Sequence, residues 1–321
     1  MQHQDRRSGP EGESAAKSGK RIGLVLGAGG PVGHAFHAGV LHALHDGTGW
    51  DAGDAELVVG TSAGAQVGAL LRAGLKGADL AARAAGKPLC ERAHAIAQHY
   101  IRPYPKDGSK PKTSRKPASL GFIMEALKNP GHFRPGRLVS ALLPEGHVCL
   151  GAQAEGFRRI FGAAWPTKRL WITAVHLDTG ERVAFGKEGA PVIDVGTAVT
   201  CSGAVPGVCR TVHHDGRRYV DGGIASATHL DLLHKADLDM VIVSSPLSMF
   251  APMRALLWNE IRKLKRHVPV VTFEPKGEAL DAMGLNPMDI SRAPRVAKVA
   301  YECAMRDIQI RGPNVWASLT S

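Results

Sequence analysis

Two short apolar runs, each stopped by a glycine-rich turn and each followed by residues at helical spacing, constrain this chain more than any other feature. The first is Ile22 to Leu26, which enters GAGGPVG at Gly27 to Gly33 and continues as GHAFHAGVLHALHD. The second is ELVVG at Glu56 to Gly60, which passes through Thr61 and Ser62 into AGAQVGALLRAG and closes at Gly74. Short uninterrupted apolar runs read as strands buried on both faces, and such strands alternating with helices imply an α/β fold with a mostly parallel central sheet covered on both sides.

The remaining chain extends this pattern. RLWITAVHLDTGERVAFG (169–186) gives two alternating runs around Thr179-Gly180, and VCRTVHHDGRRYVDGG (208–223) gives two more around Asp215-Gly216, a favoured two-residue hairpin turn. DMVIVSS (239–245) and VPVVTFEP (268–275) read as further buried strands flanking the helix MRALLWNEIRKLKR (253–266), and a long helix is expected from about Arg292 to Ile310. SLGFIMEALKN (119–129) and RLVSALLP (137–144) also read as helical. Residues 1–20 hold almost nothing to bury and read as a disordered polar tail, which leaves 21–321 as one domain.

No apolar stretch approaches the roughly 20 residues needed to span a bilayer, and the first residues lack a secretory apolar run. Any relation to a membrane is expected to be peripheral, with the protein in the cytoplasm at its inner face. The five cysteines, Cys90, Cys149, Cys201, Cys209 and Cys303, are scattered without metal-binding spacing and are expected to be buried or half-buried thiols. The net charge of +11 is concentrated: from His99 to Arg137 nine Lys/Arg face two acids, a surplus of +7. The Pro-, Gly- and Lys-rich part of that segment, 99–117, reads as a mobile excursion attracted to an anionic surface or, more simply, as a solvated loop. With only Tyr100 and Tyr104 to stack on bases, it is not expected to bind nucleic acid.

The chemistry concentrates at three glycine motifs. GTSAG, Gly60 to Gly64, stands at a strand-to-helix junction, the context of a nucleophile elbow, in which a sharp turn presents Ser62 at the carboxyl edge of the sheet with Gly60 and Gly64 leaving room for the backbone. A serine hydroxyl needs a base. His34, His37, His42 and His45 share one helix face and read as a solvated or partly buried stripe, while Asp221, followed by Gly222 and Gly223, ends a hairpin strand in a turn that could aim its carboxylate into a site. GAGGPVG places backbone N–H groups at a helix start, an anion cradle whichever anion it serves.

Taken together and in this order, GAGGPVG, GTSAG and DGG resemble the patatin-like phospholipase family of lipid acyl hydrolases. PGRLVSALLPEG (135–146), AVTCSGAVPGV leading into RRYVDGG, and GLNPMDISR look similar to bacterial members. The resemblance implies a three-layer α/β/α fold, Ser62 as nucleophile and Asp221 as proton acceptor of a dyad, the glycine loop as oxyanion hole, a fatty acyl ester of a phospholipid or related lipid as substrate, and no metal or cofactor in the chemistry. Here Val32 stands where the family commonly has a basic residue, and Pro31 has no N–H, which leaves Gly29 and Gly30 as the donors.

Two other readings compete. A dinucleotide-binding oxidoreductase needs glycine where Val32 stands in a strict G-x-G-x-x-G, although the looser spacing through Gly33 survives, and Asp46 falls at a helix end instead of a strand end. A catalytically weak or inactive lipid-binding protein would keep the fold, and the missing basic residue favours it, whereas intact Ser62 and Asp221 favour the enzyme.

Overall fold

The computed structural model describes residues 20–100, 146–317 and 319. The expected polar tail up to residue 19, the basic segment beyond Tyr100 and the two helices expected within 119–144 lie outside the described residues.

Eight strands form one sheet: β1 (Ile22–Leu26), β2 (Leu57–Thr61), β3 (Arg169–His176), β4 (Arg182–Phe185), β5 (Val212–His214), β6 (Arg217–Asp221), β7 (Met240–Ser244) and β8 (Val270–Phe273). β8, β7, β1, β2 and β3 pair in that order and all run parallel, while β4 and β6 pair antiparallel with β3, and β5 with β6. Both hairpins expected from the sequence are present. At the tip of the second, Asp215 and Gly216 take φ values of 47 and 69°, the positive pair that a tight two-residue turn demands.

The pairing of β3 decides where the chemistry sits. Thr173 pairs with Thr61 of β2 on one side and Ala184 of β4 on the other, and the next residue, Ala174, pairs with Val183 of β4 and Asp221 of β6. A residue has only two edges, so β2 and β6 share the same edge of β3 and run at each other from opposite ends. They stop one residue apart in register, which brings the exit of β2 against the exit of β6.

The helices among the described residues are α1 (Gly30–Thr48), α2 (Ala63–Arg72), α3 (Gly77–Ala84), α4 (Glu91–Ala97), α5 (Gly151–Phe161), α6 (Val195–Gly203), α7 (Ala251–Leu264), α8 (Glu278–Met283), α9 (Ala293–Arg311) and α10 (Pro313–Trp316). Alternation along the strands separates two cores. Leu24, Leu26, Val58, Ile172, Ile242 and Phe273 pack with the α1, α2, α6 and α9 side, and Val25, Val59, Trp171, Val241 and Val243 pack with Leu257, Ile261 and Leu264 of α7. The molecule is thus a three-layer α/β/α sandwich with a mostly parallel sheet. α1 and α9 approach so closely that a Cβ on Gly39 would lie 2.3 Å from the Ala297 carbonyl oxygen.

No helix among the described residues is long and apolar enough to cross a membrane. Cys201 and Cys209 are buried and Cys303 half-buried, but Cys90 and Cys149 are exposed, against expectation. Both stand at the edge of a helix, Cys90 immediately before α4 and Cys149 two residues before α5.

Candidate active site

β2 is buried to its last residue, and α2 begins two residues later. Between them Ser62 adopts φ 54°, ψ −117°, a conformation that costs a side-chain-bearing residue about 1–3 kcal/mol and persists only where the surroundings impose it. Three features impose it. The Ser62 N–H donates to Ser202 Oγ on α6 at 2.8 Å, and the Thr61 and Thr173 hydroxyls bond across the strands at 2.8 Å. The chain also folds back where only glycine fits: a Cβ on Gly60 would lie 2.6 Å from Ala65 Cα, and one on Gly64 would lie 1.9 Å from the Leu26 carbonyl oxygen.

The end-to-end meeting of β2 and β6 sets Asp221 beside this elbow. The Ser62 side chain faces the Asp221 carboxylate and favours its charged form, and Asp221 Oδ1 accepts from the Gly223 N–H at 2.7 Å. Both side chains are almost wholly out of water, at 5% exposure each. Burial opposes the charged form and pushes the Asp221 carboxyl up to about 6, against the Ser62 side chain and the Gly223 N–H, which act the other way. The result is a carboxylate still ionised at neutral pH but more basic than an exposed one. Gly222 is required by close approach, since a Cβ there would lie 2.7 Å from the Thr173 carbonyl oxygen.

The glycine loop closes the third side. The Gly27 and Ala28 N–H groups donate to Ser244 and Ala227 carbonyls at 2.9 Å, the Val32 N–H to Pro287 at 3.1 Å and the Gly33 N–H to Gly29 at 2.8 Å. Among the described residues no carbonyl accepts from Gly29 or Gly30, so these two N–H groups stand uncommitted at the start of α1. Gly30, at φ 59°, lines a narrow cavity together with Ser62, whereas Gly29 sits behind it against Pro246. α1 and α2 both begin here, and their N-terminal dipole ends favour negative charge at the cavity floor. The Val32 side chain is fully buried in the core and contributes packing instead of facing the cavity.

The histidine stripe is not one solvated face. His37 is fully buried, with Nδ1 2.8 Å from Ser244 Oγ and Nε2 2.8 Å from the Gly27 carbonyl oxygen. A carbonyl only accepts, so Nε2 carries the proton and Nδ1 of the neutral ring accepts from Ser244. Burial lowers its pKa to about 4, which keeps it neutral. His34 is also buried and stacks on Tyr100 at the cavity wall, while His42 lies at the surface 3.3 Å from Asp46. A third buried histidine, His229, holds the other glycine turn through Nε2, 3.0 Å from the Gly222 carbonyl oxygen.

Ser202, His37 and His229 were thus not singled out as site residues by the sequence, yet each holds a motif residue in place. Only His37 carried a signal, an apolar-flanked histidine seven residues into a helix, and its neighbours in the stripe masked it.

A scan against family models matches the patatin-like phospholipase family over residues 24–234. Among solved structures, the crystal structure of VipD from Legionella pneumophila is similar with a TM-score of 0.44 at 13% identity, covering 92% of this chain and 67% of that one. Human GIVD cytosolic phospholipase A2 in complex with methyl gamma-linolenyl fluorophosphonate is similar with a TM-score of 0.39 at 12% identity, covering 94% of this chain. This chain spans 60% of that protein. The family match runs from within β1 past β6 and takes in all three glycine motifs and well over half of the sequence: the chain belongs to the patatin-like phospholipase family.

Proposed function

We propose that the protein is a serine hydrolase that cleaves fatty acyl ester bonds of phospholipids, lysophospholipids or related lipids. The observation that carries this reading is a serine, held at a positive-φ elbow, whose side chain faces a buried carboxylate with a pKa near 6. Ser62 Oγ attacks the ester carbonyl carbon while Asp221 takes its proton, which a base of that pKa does more readily than a solvated aspartate. The tetrahedral oxyanion forms against the Gly29 and Gly30 N–H groups, where each such donor typically contributes roughly 2.7–4 kcal/mol in the transition state. Collapse breaks the bond to the leaving alcohol, which receives the proton from Asp221. Water, deprotonated by Asp221, then attacks the acyl–Ser62 ester, releases the fatty acid and restores the serine.

Each part of this cycle is served by the chain's own residues, so the reading assigns no metal or cofactor. Its partner is a lipid surface, met from the cytoplasmic side in part through the basic segment 99–117. A panel of phospholipids, lysophospholipids and neutral glycerides, assayed with wild type, Ser62→Ala and Asp221→Asn, tests the assignment. Release of fatty acid by wild type alone supports it, and hydrolysis that persists in Ser62→Ala contradicts it.

A further inference from the structure

α7 packs on the sheet through Leu257, Ile261 and Leu264, and that packing leaves a whole face outward. The exposed positions on it and on the turn that follows are Ala251, Pro252, Ala255, Leu256, Trp258, Asn259, Arg262, Lys263, Lys265, Arg266 and His267. Apolar residues fill the first two turns, four cations fill the end, and no acid interrupts them. Leu256 and Trp258 are 54% and 56% exposed. Among the described residues none of the four cations forms a salt bridge; the nearest basic residue that does, Arg254, is paired with Glu274. Glu260, the acid in the helix's middle, is half-buried and its carboxylate is committed to Ser226, Thr228 and the Leu230 N–H.

We propose that the outward face of α7 is a docking surface for an anionic phospholipid bilayer. The charge is one-sided and matches an anionic surface. Trp258 and Leu256 are side chains that favour the membrane interface, and Trp258 keeps its indole N–H on Glu274 at 3.3 Å while its ring lies open. The inference goes beyond the hydrolase reading and does not require it.

The same helix is tied to the site. Glu260 accepts from Ser226 Oγ at 2.6 Å, Thr228 Oγ1 at 2.7 Å and the Leu230 N–H at 3.3 Å, all in the segment that follows Asp221. Within that segment the Ala227 carbonyl accepts the Ala28 N–H of the glycine loop at 2.9 Å. Pro246, in the turn that leads into α7, packs against Gly29 and Gly33. A surface held by α7 therefore holds the loops around Ser62 at a fixed height and orientation above it.

Trp258 supplies its own probe, because Trp50, Trp171 and Trp316 are buried and Trp165 is half-buried. The full chain carrying Ser62→Ala, to exclude turnover, is mixed with vesicles of phosphatidylcholine alone or with phosphatidylglycerol added. The expected result is a blue shift of tryptophan emission and protection from acrylamide only with the anionic vesicles, both absent in Trp258→Phe and weakened by salt. Lys263→Gln, Lys265→Gln and Arg266→Gln together should reduce vesicle affinity on the order of 100-fold at about 1 kcal/mol per cation. In an otherwise wild-type chain the triple variant should hydrolyse a soluble short-chain ester at the wild-type rate, which separates loss of docking from loss of chemistry. Unmoved Trp258 emission on anionic vesicles, unchanged affinity of the triple variant, or burial of Trp258 by self-association without lipid would each overturn the proposal.

Discussion

At the scale of single residues, two buried titratable groups oppose each other. The folded pKa of Asp221, about 6, lies above the ordinary aspartate value of 3.8, so the folded state binds the extra proton between those limits. Stability from this group is therefore present below about pH 4 and lost as pH rises to about 6, by up to about 3 kcal/mol at 1.36 kcal/mol per unit. Asp221→Asn should be more stable than wild type above pH 6, with the gap closing towards pH 4, in denaturant titrations across that range. His37 has the opposite sign: its pKa falls from 6.5 to about 4, so its contribution is present above pH 6.5 and lost as pH falls towards 4. His37→Asn, which cannot bridge Ser244 and Gly27, should destabilise by about 1–3 kcal/mol for each buried partner left unpaired and lower kcat with little change in KM, as measured by denaturation and steady-state kinetics. A variant with wild-type kcat would show that the glycine loop keeps its place without this histidine.

At the scale of elements, the two βα junctions and both hairpins are legible because local chemistry decides them: uninterrupted apolar strands, a Gly-Gly start with Pro31 in the first turn of α1, and Asp215-Gly216 at a turn needing two positive φ values. α6 escaped the same reading. All nine of its residues are buried, so no apolar stripe marks it, and its Gly, Thr and Val are weak helix formers held by tertiary packing. Ser202 was hidden with it. Ser202→Ala removes the acceptor of the Ser62 N–H and should lower kcat roughly 10-fold with a modest stability loss, a size consistent with one buried hydrogen bond. Gly64→Ala should do far more, because its Cβ meets backbone and not a movable side chain; near-complete loss of folded protein by circular dichroism is the expected outcome. On α7 the sequence showed apolar and basic residues together, and only the burial pattern separates Leu257, Ile261 and Leu264 from the exposed Leu256 and Trp258.

At the scale of the whole molecule, the site is assembled by strand pairing. Ser62 and Asp221 are far apart in sequence and become neighbours because β2 and β6 end against each other on one edge of β3, a relation no local pattern encodes. The order of the three motifs was readable, and the resemblance they carried was to the family that the chain belongs to, but the packing behind them was not. His37 from α1, Ser202 from α6 and His229 from the turn after β6 reach the motifs through the fold. The part of the chain beyond residue 234 is equally structural to the site, since β7 pairs along β1 and Ser244 accepts from Gly27 and bonds His37.

The proposed chemistry turns on Ser62 as the nucleophile, activated by Asp221. Its most direct test is the rate and position of labelling by a fluorophosphonate probe, read by intact mass and peptide mapping across pH 4.5–8. The expected result is a single adduct on Ser62, forming at a rate that rises with pH through about 6 and then levels, strongly slowed in Asp221→Asn and absent in Ser62→Ala. An adduct on another residue, or labelling of Ser62 at a rate that neither pH nor Asp221→Asn alters, would contradict it.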